Sequence, residues 1–250
     1  MKRVQLAAVG WAGAGLALVL LIGLLSVEWW MTPLPASGWA AAVAYLLVSN
    51  TLLIRGLQRR RSERFGPANI VTSMRSTLVG VIAGLVVASF TGAVPVPLLV
   101  GLVIPALALD AVDGWVARRT GSTSELGARF DMEVDAFLLL VLGVYAAPSL
   151  GLWVLAIGGL RYAFVAAGWL LPWLRAPLPY RYWRKVVTAY AGVALAVACT
   201  GVLPILDTVL VAGALALLVE SFGRDVLWLV RERRRTAATR EAEPVPTMES

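Results

Sequence analysis

The chain has no histidine and a single cysteine, Cys199, in 250 residues. The first absence removes imidazole from base catalysis and from metal ligation. The second rules out an intrachain disulfide, and both together argue against the tetrahedral nitrogen and sulfur sites that zinc prefers. Cys199 itself reads as a small apolar residue within a span. Charge is also scarce, at 15% of residues against 59% hydrophobic, whereas a soluble domain sits near ~25% and ~45–50%. Any acid–base or metal chemistry therefore falls to carboxylates, Lys, Arg, Tyr or backbone.

What is present is apolar sequence in long runs. Mean hydropathy is +0.79, and the surplus falls in stretches of about 18–23 residues, the length that crosses a bilayer as a helix. The pattern predicts an all-α polytopic membrane bundle with helices near 5–26, 38–56, 69–90, 97–117, 130–148, 152–172, 186–202 and 205–222. The first run is too long for the apolar core of a signal peptide and lacks a convincing cleavage site, so it reads as a retained helix.

The net charge of +7 reads as topology, and no nucleic-acid partner is expected. Lys2 and Arg3, the group Arg55, Arg59, Arg60, Arg61 and Arg64, the pair Arg118 and Arg119, the group Arg175, Arg181, Arg184 and Lys185, and the tail from Arg231 all fall on one side of an eight-span arrangement. The opposite loops, EWWMTPLPAS, TGAVPVP, APSLG and VLPI, contain no Lys or Arg. The positive-inside rule then puts both termini in the cytoplasm. Trp29 and Trp30 suit an outer aromatic belt. Residues 57–68 read as an interfacial helix or a basic loop. Residues 223–250 read as a basic cytoplasmic tail, partly disordered.

Against this background Asp110, Asp113, Asp131 and Asp135 stand out. A carboxylate at bilayer depth costs roughly 2.5–3.5 kcal/mol even on lenient scales. Asp110, Asp113, Gly114 and Ala117 share one helical face; Gly127, Asp131 and Asp135 share another. The intervening polar segment RRTGSTSE, with Gly121, suits a short loop. Two antiparallel helices would thus each present two acids near the cytoplasmic surface. Clustered oxygen donors suit a hard divalent cation, Mg²⁺ or Mn²⁺, and two such ions would offset four charges and serve phosphoryl chemistry.

The residues Asp110, Asp113, Gly114, Ala117, Arg118, Gly127, Asp131 and Asp135 fill the pattern D-x2-D-G-x2-A-R-x8-G-x3-D-x3-D. This resembles the signature of the CDP-alcohol phosphatidyltransferase family, and within it the bacterial phosphatidylglycerophosphate and phosphatidylinositol phosphate synthases. Asn69, Thr72 and Arg75 resemble the start of that family's first core helix. Arg161 resembles an arginine in the helix after the last aspartate, and Lys185 a lysine of the phosphatidylglycerophosphate synthases.

The resemblance implies a six-helix core over residues 69–222, preceded by two additional transmembrane helices within 1–56. It implies transfer of a phosphatidyl group from a CDP-linked lipid, CDP-diacylglycerol, to a small alcohol with release of CMP. Two metal ions would be held by Asp110, Asp113, Asp131 and Asp135, with Asp135 as general base. Gly114, Ala117, Arg118 and Gly127, with Asn69, Thr72 and Arg75, would bind the nucleotide donor. Arg161, Arg181, Arg184 and Lys185 suit an anionic acceptor such as a phosphorylated alcohol, although positive-inside topology and anionic-lipid binding account equally well for such a group. The resemblance also implies a homodimer in a bacterial inner membrane. Two other readings remain open at this stage: transfer of a phospho-alcohol from a soluble CDP-alcohol to a lipid acceptor, and a cation transporter whose acids form an ion path.

Overall fold

The structure, a computed structural model, describes residues 35–59, 67–120, 125–179 and 181–242. Seven α-helices run through these segments: α1 (Ala36–Arg59), α2 (Pro67–Ala88), α3 (Val96–Thr120), α4 (Glu125–Leu150), α5 (Leu155–Leu170), α6 (Tyr182–Ala198) and α7 (Pro204–Ala242). Single 3-10 turns, Leu152–Val154 and Pro172–Arg175, flank α5. No strand occurs among the described residues, as the apolar runs predicted. The expected first span and its tryptophan belt lie outside the described residues, as do 60–66 of the basic segment and the tail beyond Ala242.

The helix ends follow local chemistry. Pro67 and Pro204 open α2 and α7, where a missing N–H costs nothing. Asp207 adds an acid to the first turn of α7, complementing the helix dipole. Gly151 and Gly201 adopt φ of 100° and 64° at the turns after α4 and α6, a conformation that side-chain-bearing residues rarely take.

Several boundaries differ from the sequence reading; α4 begins at Glu125, five residues before the expected start, and α6 ends at Ala198, four before the expected end. Helix α6 begins at Tyr182, four residues before the expected start, so Arg184 and Lys185 belong to its first turn. Helix α7 does not stop at 222 but continues unbroken to Ala242. Its 39 residues span roughly 58 Å at 1.5 Å per residue, well beyond a ~30 Å hydrocarbon core. Apolar periodicity ended at the membrane edge, but the helix did not, because the following residues are good helix formers.

Five described helices are long and apolar enough to cross a membrane: α1, α2, α4, α5 with its leading turn, and α7. The apolar part of α3, Val96–Val112, is shorter. This is an integral membrane protein. Burial separates the helices: 72% of the apolar window of α2 is buried, against 22% for α5. Helix α2 is therefore the protein-facing centre, while α5 and α7 turn large side chains such as Trp169, Leu170, Ile205 and Val209 outward.

Helix α2 packs on α1, α3 and α4; α4 packs on α5 and α6; α6 packs on α7. Close crossings rest on small residues, as is usual where helices meet without a hydrophobic driving force. A Cβ on Gly84 would sit 2.7 Å from the Gly38 carbonyl oxygen, and one on Gly158 would sit 2.4 Å from Leu140 Cα. Helix α1 also reaches the core through polar groups. Ser49 and Ser76 hydroxyls lie 2.8 Å apart, Tyr45 joins them at 3.3 Å, and the Tyr45 ring stacks on Phe137 of α4. Helix α1 thus braces the turn of α2 that carries Arg75.

Candidate active site

Three of the acids meet where the last half of α3 and the first half of α4, both packed on α2, approach each other through their side chains. Carboxylate oxygens of Asp110, Asp131 and Asp135 lie within 4.8 Å of one another. Helical spacing places Asp131 and Asp135 one turn apart on α4, and the α2–α3 contact brings Asp110 across to them. Asp113, Ala117 and Arg118 lie further along α3, and Asn69 lies in the first turn of α2; their side chains fall outside the described residues. Gly114 and Gly127 are both partly exposed on the two motif helices.

The centre of the acid cluster is Arg75. Its guanidinium is fully buried. Nη1 donates to Asp110 Oδ1 at 2.7 Å and lies 2.8 Å from Asp131 Oδ1. Nη2 donates to Asp135 Oδ1 at 2.6 Å and, more weakly, to the Asp131 carbonyl at 3.3 Å. These are the lengths of charge-assisted bonds, about 2.7–2.9 Å. The countercharge that buried acids demand is therefore supplied in part by the protein itself. Thr72, one turn before Arg75, is also buried.

The oxygen set fits a divalent cation by donor chemistry, since hard carboxylate ligands are what Mg²⁺ and Mn²⁺ select. Asp110, Asp131 and Asp135 would hold it. The same Oδ1 atoms now bind Arg75, so cation and guanidinium draw on shared ligands.

A cavity of about 500 Å³ opens from the acids toward α5, α6 and α7. Asp110, Asp131 and Asp135 line it, as do Arg161, Arg181, Arg184 and Lys185. The structure therefore brings three of the four motif acids and the four cations Arg161, Arg181, Arg184 and Lys185 into a single space. Arg175 goes elsewhere, its Nε donating to the Gly168 carbonyl at 2.7 Å.

Two lining partners were missed in the sequence. Arg161, which needed a partner because it lies in a span, pairs with Glu133 at 2.6 Å. Glu133 stands between Asp131 and Asp135, two residues off their face, a position that signals contact with a different neighbouring helix. Arg184 lies 3.5 Å from Asp225, a buried acid of α7 that lines the same cavity. Asp225 fell beyond the expected end of the last span, and only the continuation of α7 brings it in. The Nε atoms of Arg75 and Arg161 are buried without an acceptor among the described residues, which leaves each guanidinium a costly unused donor.

Comparison with known proteins agrees with this geometry. No match was found among curated proteins or solved structures. The family model described as CDP-alcohol phosphatidyltransferase matches residues 65–222. That span holds the acid cluster, its arginine and all four cavity cations. With more than half of its length matched, and with the motif acids converging on a cavity that holds both charges, the chain belongs to the CDP-alcohol phosphatidyltransferase family.

Proposed function

We propose that the protein transfers a phosphatidyl group from CDP-diacylglycerol to a small phosphorylated alcohol and releases CMP. Family membership supports the coarser statement, transfer from a CDP-linked donor to an alcohol. The observation that supports the finer one is that the cavity lined by Asp110, Asp131 and Asp135 is also lined by Arg161, Arg181, Arg184 and Lys185. The acids suit a metal-bound diphosphate. The cations suit an acceptor that is itself anionic, and guanidiniums bind phosphate in forked pairs of hydrogen bonds.

In this reading Asp110, Asp113, Asp131 and Asp135 hold two divalent ions, Mg²⁺ or Mn²⁺, which when bound neutralise the diphosphate and stabilise the leaving phosphate. Asn69, Thr72, Gly114, Ala117, Arg118 and Gly127 form the nucleotide side of the site. Arg75 orders the acids. Asp135 accepts the proton of the acceptor hydroxyl. The oxygen so freed attacks the β-phosphorus, and the bond from that phosphorus to CMP breaks, with CMP taking the electron pair. Arg118 steadies charge on the departing nucleotide. The basic loops support a reading in which the site and both termini face the cytoplasm, in a bacterial inner membrane. We further propose that the enzyme works as a homodimer.

The test pairs donors with acceptors in liposomes. CMP release is measured with CDP-diacylglycerol and glycerol 3-phosphate or inositol phosphate, and in parallel with CDP-choline or CDP-ethanolamine and diacylglycerol. The proposal expects the first set to react. Reaction of the second set alone would mean the opposite direction of assembly, and preference for an uncharged alcohol would defeat the anionic-acceptor reading.

A further inference from the structure

Asp225 stands three residues beyond the last residue matched by the family model, yet it is only 5% exposed and lines the cavity. A carboxylate is stable in such a place only with a partner. Its ion-pair partner is Arg184, with Nη1 3.5 Å from Asp225 Oδ2, and Arg181 also acts on it through charge. The other terminal nitrogen of Arg184, Nη2, donates to the Pro179 carbonyl. The guanidinium is thus tethered from two sides, by the loop ahead of α6 and by α7. The distance to Asp225 exceeds the roughly 2.7–2.9 Å of a charge-assisted bond. The carboxylate therefore holds the cation by charge while leaving donors free, and a guanidinium has five.

A buried acid beside a ligand-binding arginine has two possible effects, of opposite sign. As plain countercharge it weakens anion binding. As a tether it strengthens binding, because a long side chain held in place loses less rotamer freedom when the ligand arrives. The geometry favours the tether: Arg184 is still one-third exposed, at 32%, and without Asp225 its only described anchor is one backbone carbonyl.

We propose that Asp225 is a positioning residue that aims Arg184 at the phosphate of the acceptor, and so sets the preference for phosphorylated over unphosphorylated alcohols. This rests on the anionic-acceptor reading above. It also gives the part of α7 beyond the family match a function in the reaction.

The experiment is a double-mutant cycle in the full-length protein reconstituted in liposomes, with kcat and KM measured separately for CDP-diacylglycerol and glycerol 3-phosphate. Asp225→Asn, which keeps the shape of the side chain, is expected to raise the KM for glycerol 3-phosphate at least about tenfold, the worth of one hydrogen bond to a charged group. The donor KM is expected to stay within about twofold. Asp225→Glu, which returns the charge, is expected to recover most of the loss, as a defect in folding alone would not. In an Arg184→Ala background, Asp225→Asn is expected to add nothing, because the two residues act as one unit. An unchanged or lowered acceptor KM in Asp225→Asn, or full additivity with Arg184→Ala, would overturn the proposal while leaving the acceptor reading intact. If the parent enzyme itself turns over no phosphorylated alcohol, both fail together.

Discussion

The substitution Arg75→Met removes the cation on which the acid cluster is built and nearly preserves side-chain length. In the native site one fully buried guanidinium meets Asp110, Asp131 and Asp135 at 2.7, 2.8 and 2.6 Å. Breaking a buried ion pair by deleting one partner costs about 3–5 kcal/mol. The carboxylates retain 34%, 22% and 24% of their exposure, so water screens part of the resulting repulsion, and the lower end, about 3 kcal/mol, is the expected loss. A divalent cation binding the same oxygens returns stability by mass action, about 2.7 kcal/mol at a concentration one hundred times its Kd. The assay is a thermal stability midpoint in detergent, for parent and variant, in chelator and in a Mg²⁺ or Mn²⁺ series. The variant is expected to be clearly less stable in chelator and to gain more from metal than the parent, since metal no longer competes with the guanidinium. A variant as stable as the parent in chelator, or one with no larger metal response, would refute the view that Arg75 and cation share the acids.

Four further outcomes are expected. Asp135→Asn is expected to lower turnover by about 10²–10⁴-fold, the usual worth of a general base; near-normal turnover would assign the base elsewhere. Chelation is expected to abolish CMP release and added Mg²⁺ or Mn²⁺ to restore it, so activity that persists in chelator would count against metal involvement. Glu133→Gln breaks a partly exposed pair with Arg161, so its stability cost is expected to stay below about 1 kcal/mol; a loss of several kcal/mol would mean the pair is structural. Gly158→Val is expected to destabilise by at least about 1–3 kcal/mol, the cost of overpacking, because its Cβ would meet the backbone of Leu140 at 2.4 Å; unchanged thermal stability in detergent would contradict that crossing.

The acid motif could be read from sequence because helical spacing is local. Residues three and four apart share a face whatever the rest of the chain does, and an acid in an apolar run carries its own energetic argument. Length and hydropathy likewise placed most helix ends to within about three residues, except at the start of α4, at both ends of α6 and beyond residue 222 of α7. What depended on tertiary packing was hidden. Arg75 was expected at the site from the resemblance of Asn69, Thr72 and Arg75 to the family's first core helix, but its position among three acids depends on how α3 and α4 pack on α2. The partners of Arg161 and Arg184 are 28 and 41 positions away in sequence, and no local rule links them. The bracing of α2 by α1, through Tyr45, Ser49 and Ser76, depends on where the two helices cross.

The central claim is that Asp110, Asp131 and Asp135 together grip a divalent cation at the mouth of a cavity that also binds phosphate. Titration of the purified protein with Mn²⁺, following free ion by its electron paramagnetic resonance signal, tests this without any substrate. The account predicts saturable binding that Asp110→Asn, Asp131→Asn and Asp135→Asn each weaken severely and that a CDP-linked lipid strengthens. Equal Mn²⁺ uptake by the parent and all three variants would contradict it.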